Sequence, residues 1–152
     1  MKNIINSIEN IETEICNEFA IYDTWAEKYE YLVELGKNLP KLQPEQKIEQ
    51  NKLANCTSRV WLVFNLDADN RIEIKSESDS LIMAGLLDMV IRLYKQQKLE
   101  DVLNSKITLF EKIGFTKYLT NTRVNGLGLI LNRLKEKVTE LNTKTNLDQS
   151  FS

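Results

Sequence analysis

Histidine is missing from this chain of 152 residues, and cysteine occurs only twice. Without histidine, neither a Ser-His-Asp nor a Cys-His catalytic site can be built, and a histidine-ligated zinc site is excluded as well. Two thiolates are too few to hold an iron–sulfur cluster within one chain. No excess of positive charge exists either. Twenty basic residues stand against 22 acidic ones, which gives no electrostatic footing for nucleic acid. Long apolar runs are lacking too: the longest, "LIMAGLLDMVIRLY" (81–94), is interrupted by Asp88 and Arg92 and is too short for a bilayer. The opening "MKNIINSIENIETEI" sets acids among its isoleucines, so neither a secretory signal nor a transit peptide is expected. With no such signal, Cys16 and Cys56 are expected as free thiols in a reducing, cytoplasmic setting. Any chemistry here falls to a thiol, a carboxylate, a lysine or an arginine.

What is present reads as one α+β domain over residues 1–141. Its expected architecture is a small antiparallel sheet of about three strands packed by several helices. Ile4, Ile8, Ile11, Ile15 and Phe19 recur at helical steps, the stripe of an amphipathic first helix. In "TWAE", Thr24 and Glu27 form a capping box for a second helix, which Pro40 ends. "VWLVF" (60–64) and "RIEIKSE" (71–77) flank the turn-forming "NLDADN" and predict a hairpin. The stretch ahead of Cys56 supplies a third, edge strand. Ser78 or Asp79 is placed to cap the helix over 81–94. That helix is apolar nearly all round, so it is expected at the centre of the core. Two short helices follow, the second closed by Gly114. A long last helix, capped by Thr120, presents Leu127, Ile130, Leu131, Leu134, Val138 and Leu141 on one face. The final segment, 142–152, has little to bury and is expected to be a disordered tail.

Cys56 stands in "NKLANCTSRVW", a polar, loop-like run. Buried packing is the common fate of a free cysteine, but its neighbours Asn55, Thr57, Ser58 and Arg59 are not core residues. A loop cysteine close to an arginine and anchored by a strand also suits a reactive thiolate. Cys16 lies at the edge of the first helix's apolar stripe and reads as a packing residue. Arg123 falls in the first turn of the last helix, where a cation opposes the macrodipole at about 0.3–1 kcal/mol; it is either a tolerated surface residue or one held for an anion. Gly126 and Gly128 each cost about 1 kcal/mol relative to alanine inside a helix, by drift or because another backbone comes close. Glu12, Glu14, Asp67, Asp69 and Glu100 fit solvated faces and turns, and form no catalytic pair.

Four separated motifs, "WAEKYEYLVELGKNLP", "NCTSRVWLV", "ESDSLIMAGLL" and "LTNTRVNGLG", resemble in order and spacing those of the SufE family, sulfur acceptors of bacterial iron–sulfur cluster assembly. The resemblance covers roughly residues 20 to 140. It implies a fold like that of the IscU-type scaffolds. It also implies that Cys56 accepts sulfur from the persulfide of a SufS-like, PLP-dependent cysteine desulfurase and so stimulates that enzyme. The sulfur would then pass to a SufBCD-like scaffold complex. Arg123 takes the place of the family's arginine, with Asn55, Thr57, Ser58 and Arg59 around the acceptor. No cofactor is implied for this chain itself, since the partner would carry the PLP. CsdE-type acceptors share the motifs. A binding module that activates its partner allosterically, with Cys56 structural, is the other class of function. Two departures stand out: Asn55 replaces the glycine usual before the acceptor cysteine, and Asn121 replaces a proline of the arginine motif. Asparagine is the non-glycine residue that best tolerates a left-handed backbone. A persulfide needs protection, so Cys56 is expected to be partly shielded at rest and released by loop movement on docking.

Overall fold

Helical periodicity in the first forty residues produces two helices joined by a tight corner. The computed structural model describes residues 6–150; Ile4 of the expected stripe lies outside them. Helix α1 (Ile8–Ala20) begins at Ser7, whose hydroxyl accepts from the backbone N–H of Asn10, and it buries Ile8, Ile15 and Phe19. Helix α2 (Trp25–Lys37) begins at Thr24, whose hydroxyl accepts from the N–H of Glu27. The expected capping box is only half made: the Thr24 hydroxyl itself donates to the Glu27 carboxylate at 3.0 Å.

The hairpin forms as expected, from β1 (Val60–Leu66) and β2 (Ile72–Ser78), antiparallel, with Val60 opposite Ser78 and Leu66 opposite Ile72. Asp67 organises the connecting turn by accepting from the N–H groups of Asp69 and Arg71. The expected third strand is reduced to a single bridge between Lys52 and Trp61, so the sheet has two strands among the described residues. Two short 3-10 turns, Pro44–Gln46 and Glu49–Asn51, consume the residues that a longer edge strand would need.

Helix α3 (Leu81–Tyr94) is the centre of the core, as its composition predicts. Ten of its 14 residues are buried, and fully burying a Leu or Met side chain contributes about 1.5–3 kcal/mol. Its cap is Ser80, which accepts from the N–H of Met83, rather than Ser78 or Asp79. Helices α2 and α3 meet backbone to backbone: a Cβ on Gly85 would fall 2.3 Å from the carbonyl oxygen of Leu32, and one on Gly36 2.1 Å from that of Leu81. Arg92 of α3 reaches back to α1, where both its terminal nitrogens bond the Glu18 carboxylate. Tyr31 donates to the same carboxylate. Arg92 holds the Glu18 pKa below its ordinary value, while burial and the neighbouring Glu18 push Tyr31 up to about 12.

Three short helices, α4 (Leu99–Asn104), α5 (Leu109–Ile113) and α6 (Phe115–Tyr118), fill the side of the core. Gly114, at φ 102°, separates the last two. Glu12, expected on a solvated face, instead accepts from the N–H groups of Thr108 and Leu109 and ties α1 to the start of α5. The last helix, α7, runs from Asn121 to Ser150. The segment expected as a disordered tail is therefore helical from Asn142 through Ser150. Part of it lies beside the hairpin: Leu141, Lys144, Thr145 and Asp148 line a groove with Phe64 and Leu66. No helix among the described residues is long and apolar enough to cross a membrane.

Candidate functional site

The cysteine loop is pinned by hydrogen bonds at both ends and has few between them. On one side the N–H of Leu53 donates to the carbonyl of Val60 at 2.8 Å. On the other, the N–H of Arg59 donates to the Asp79 carboxylate at 2.9 Å, and the N–H of Asp79 returns to the carbonyl of Arg59 at 3.2 Å. Asp79 is thus a clasp that joins the loop to the end of β2, not the helix cap its position suggested. From Ala54 to Ser58 no side chain makes a hydrogen bond among the described residues. Asn55 turns the chain with φ 64°, the left-handed conformation that its amide side chain tolerates best after glycine.

That turn brings the Cys56 side chain down onto α7. Gly126 is buried, and a Cβ placed on it would lie 3.5 Å from Cys56 Sγ and 2.8 Å from Cε of Met83, a side chain of α3. Gly126 therefore provides a seat, and the groups that touch it are side-chain ends rather than another backbone. Gly128, two residues on, is exposed, and a Cβ placed there would meet nothing within 4 Å, so only Gly126 has a packing reason. Cys56 is half-buried against the core, and the seat accounts for its shielding.

Arg123 stands in the first turn of α7, three residues before Gly126 and therefore on the same face. Thr120 caps this turn as expected, its hydroxyl accepting from the N–H of Arg123 at 3.4 Å. The Arg123 guanidinium donates to the Tyr29 hydroxyl of α2 at 3.3 Å. Neither Arg123 nor Arg59 hydrogen-bonds Cys56 in this arrangement. The two candidates are brought to one helix face but not into contact. Thr57 and Arg59 are exposed and Ser58 is half-buried. Asn55, at the turn, also faces solvent.

Cys16 has different surroundings. It is half-buried within α1, where burial, then the nearby Glu12 carboxylate, pushes its thiol pKa up. A raised pKa reduces the thiolate fraction, which is the nucleophilic form. Sequence reasoning passed over Tyr29 and Met83 at this site and gave Asp79 a different task. Tyr29 and Met83 look like ordinary apolar-face residues, and only the run of three capping side chains in "SDS" marks Asp79 as free for another role.

A two-stranded sheet, a central apolar helix and a cysteine loop seated on a long final helix define a small α+β protein with a half-buried thiol in a loop. The SufE family model, described as an Fe-S metabolism associated domain, matches residues 13–138, and the chain belongs to that family. A solved structure similar to it is the solution structure of a hypothetical protein from Thermus thermophilus. The two share 15% identity over 88% of this chain and 96% of the other, with a TM-score of 0.71, a likeness of fold.

Proposed function

We propose that this protein is a sulfur acceptor that takes persulfide sulfur onto Cys56 from a SufS-like, PLP-dependent cysteine desulfurase. In this reading it stimulates that enzyme and hands the sulfur to a SufBCD-like scaffold complex in the cytoplasm. The observation that carries the reading is the seat of Cys56: a loop pinned at both ends holds its thiol against Gly126 and Met83. The link of the family to Fe-S metabolism supports it.

The step is thiol exchange and balances without an oxidant. The Cys56 thiolate attacks the outer sulfur of the partner's persulfide. A new S–S bond forms on Cys56 as the bond between the partner's two sulfurs breaks. The electron pair leaves on the partner's cysteine, which takes up the proton that the Cys56 thiol gave up. Cys56 must leave its seat to reach the partner, so the partner has to bind the exposed loop more tightly than the seated one. Arg123 would then exchange its Tyr29 contact for the developing sulfur anion, a charge-assisted bond. Replacing Arg123 with alanine is expected to slow sulfur transfer at unchanged thermal stability.

The other reading, a module that only reshapes its partner while Cys56 packs, draws on the same half-burial of the thiol. Stimulation of a desulfurase by Cys56→Ala separates the two. The acceptor reading predicts loss of stimulation with binding retained; stimulation at the wild-type level would establish the module instead.

A further inference from the structure

The half-buried Arg123 is fixed by its backbone and held lightly by its side chain. Its N–H donates to the Thr120 carbonyl at 3.1 Å and to the Thr120 hydroxyl at 3.4 Å. A guanidinium carries five donors, yet this one enters no ion pair among the described residues. Its hydrogen bond goes to a neutral oxygen, the Tyr29 hydroxyl, at 3.3 Å. Exchanging that oxygen for an anion would add the attraction of opposite charges to the hydrogen bond.

Tyr29 is placed more firmly. It is half-buried against the core, one turn of α2 beyond Trp25. The Trp25 ring stacks on Tyr118 with centroids 5.0 Å apart and meets Phe115 edge-on at 5.6 Å. Both rings belong to α6, which leads through Leu119 and Thr120 into α7. The contact that ties α2 to the start of α7 therefore sets the Tyr29 hydroxyl beside Arg123. Three residues on, the Cβ position of Gly126 lies about 5–6 Å from that of Arg123, a span that an arginine side chain covers. Cys56 Sγ is 3.5 Å from that Gly126 position, so the guanidinium has two places within reach.

We propose that Tyr29 is a positioning residue: its hydroxyl parks the Arg123 guanidinium away from the Cys56 thiol at rest and yields it to an anion at the cysteine loop. The inference rests on the anion-binding role given to Arg123 above.

Two alkylating reagents that differ in charge, anionic iodoacetate and neutral iodoacetamide, read the position of Arg123. Their rates with Cys56 are measured on the full chain at low ionic strength, where charges are least screened, by mass spectrometry of the Cys56 peptide. Loop opening changes both rates alike and cancels in their ratio, and Arg59 is common to every variant. Tyr29→Phe keeps the ring and removes the hydroxyl. It should raise the iodoacetate-to-iodoacetamide ratio about threefold, the effect of one unit charge brought within several ångströms of the thiol in a water-like dielectric. Arg123→Ala should stay close to the wild-type ratio, and Tyr29→Phe with Arg123→Ala should match Arg123→Ala alone. An unchanged ratio in Tyr29→Phe, a rise that persists without Arg123, or a ratio about threefold below wild type in Arg123→Ala would each overturn the proposal. Neither reagent carries sulfur, so these outcomes are separate from failure of Cys56 to load persulfide, which would overturn the acceptor reading instead.

Discussion

Two helix contacts in this protein are built on glycine, and they behave oppositely. At Gly36 and Gly85, α2 and α3 approach so closely that an added Cβ would strike carbonyl oxygens of the facing helix. Backbone cannot step aside without moving a helix, so this contact is a fixed joint. At Gly126 an added Cβ would meet the ends of the Met83 and Cys56 side chains. Those can move. Glycine at the first contact makes the fold possible, while at the second it makes room for a thiol whose side chain can move. The same residue type serves a rigid backbone contact in one place and a yielding side-chain contact in the other.

Gly85→Ala tests the fixed joint and should have the largest effect, a loss of about 3 kcal/mol or more in denaturant unfolding. A loss below about 1 kcal/mol would show that α2 can shift as easily as a loop.

The Glu18–Arg92 pair braces the same region, and Glu18→Gln should cost about 1–2 kcal/mol near neutral pH by weakening a hydrogen-bonded, half-buried pair. Glu18 has its pKa depressed in the folded state, chiefly by Arg92. Its contribution is therefore present above the ordinary value of 4.5 and lost as pH falls through the lower folded value. Thermal melts across the acid range should show a steeper acid loss in the wild type than in Glu18→Gln.

Gly126→Ala and Gly128→Ala probe the movable contact as a pair. At Gly126, a gain of about 1 kcal/mol in helix propensity opposes an overpacking cost of about 1–3 kcal/mol. Stability should fall by about 0–2 kcal/mol, and Cys56 should be alkylated several-fold faster because its seat is crowded. Gly128→Ala, with open space around it, should stabilise by up to about 1 kcal/mol and leave alkylation unchanged. Equal alkylation rates in the two variants would remove Gly126 from the account.

Much of this is legible in the sequence because it rests on periodicity and caps. The stripe of α1, the all-round apolar character of α3 and the hairpin around "NLDADN" are local patterns, and each element forms where its pattern lies. The partners of those elements are not legible. Arg92 looks as though it belongs with Asp88 one turn away, yet it pairs with Glu18, 74 positions earlier in the chain. Gly36 and Gly85 carry no mark of a close crossing, since only the packed helices bring their backbones together. The end of α7 departs from expectation for a related reason. Its polar sequence has little intrinsic reason to fold alone, but it continues a helix already anchored by Ile130, Leu134 and Val138, and extending a formed helix avoids the costly nucleation step. At the candidate site, Cys56 and Arg123 stand out by residue type, whereas Tyr29 and Met83 acquire a role only from what they touch.

The central claim is that two half-buried cysteines differ because one lies in a loop that can open and the other in a helix that cannot. A peptide map by mass spectrometry, after incubation with a cysteine desulfurase and cysteine, reads this directly. The added sulfur is predicted on the peptide containing Cys56, with Cys16 unmodified and Cys16→Ser loading like the wild type. Sulfur found mainly on Cys16, or on both cysteines alike, would contradict the account.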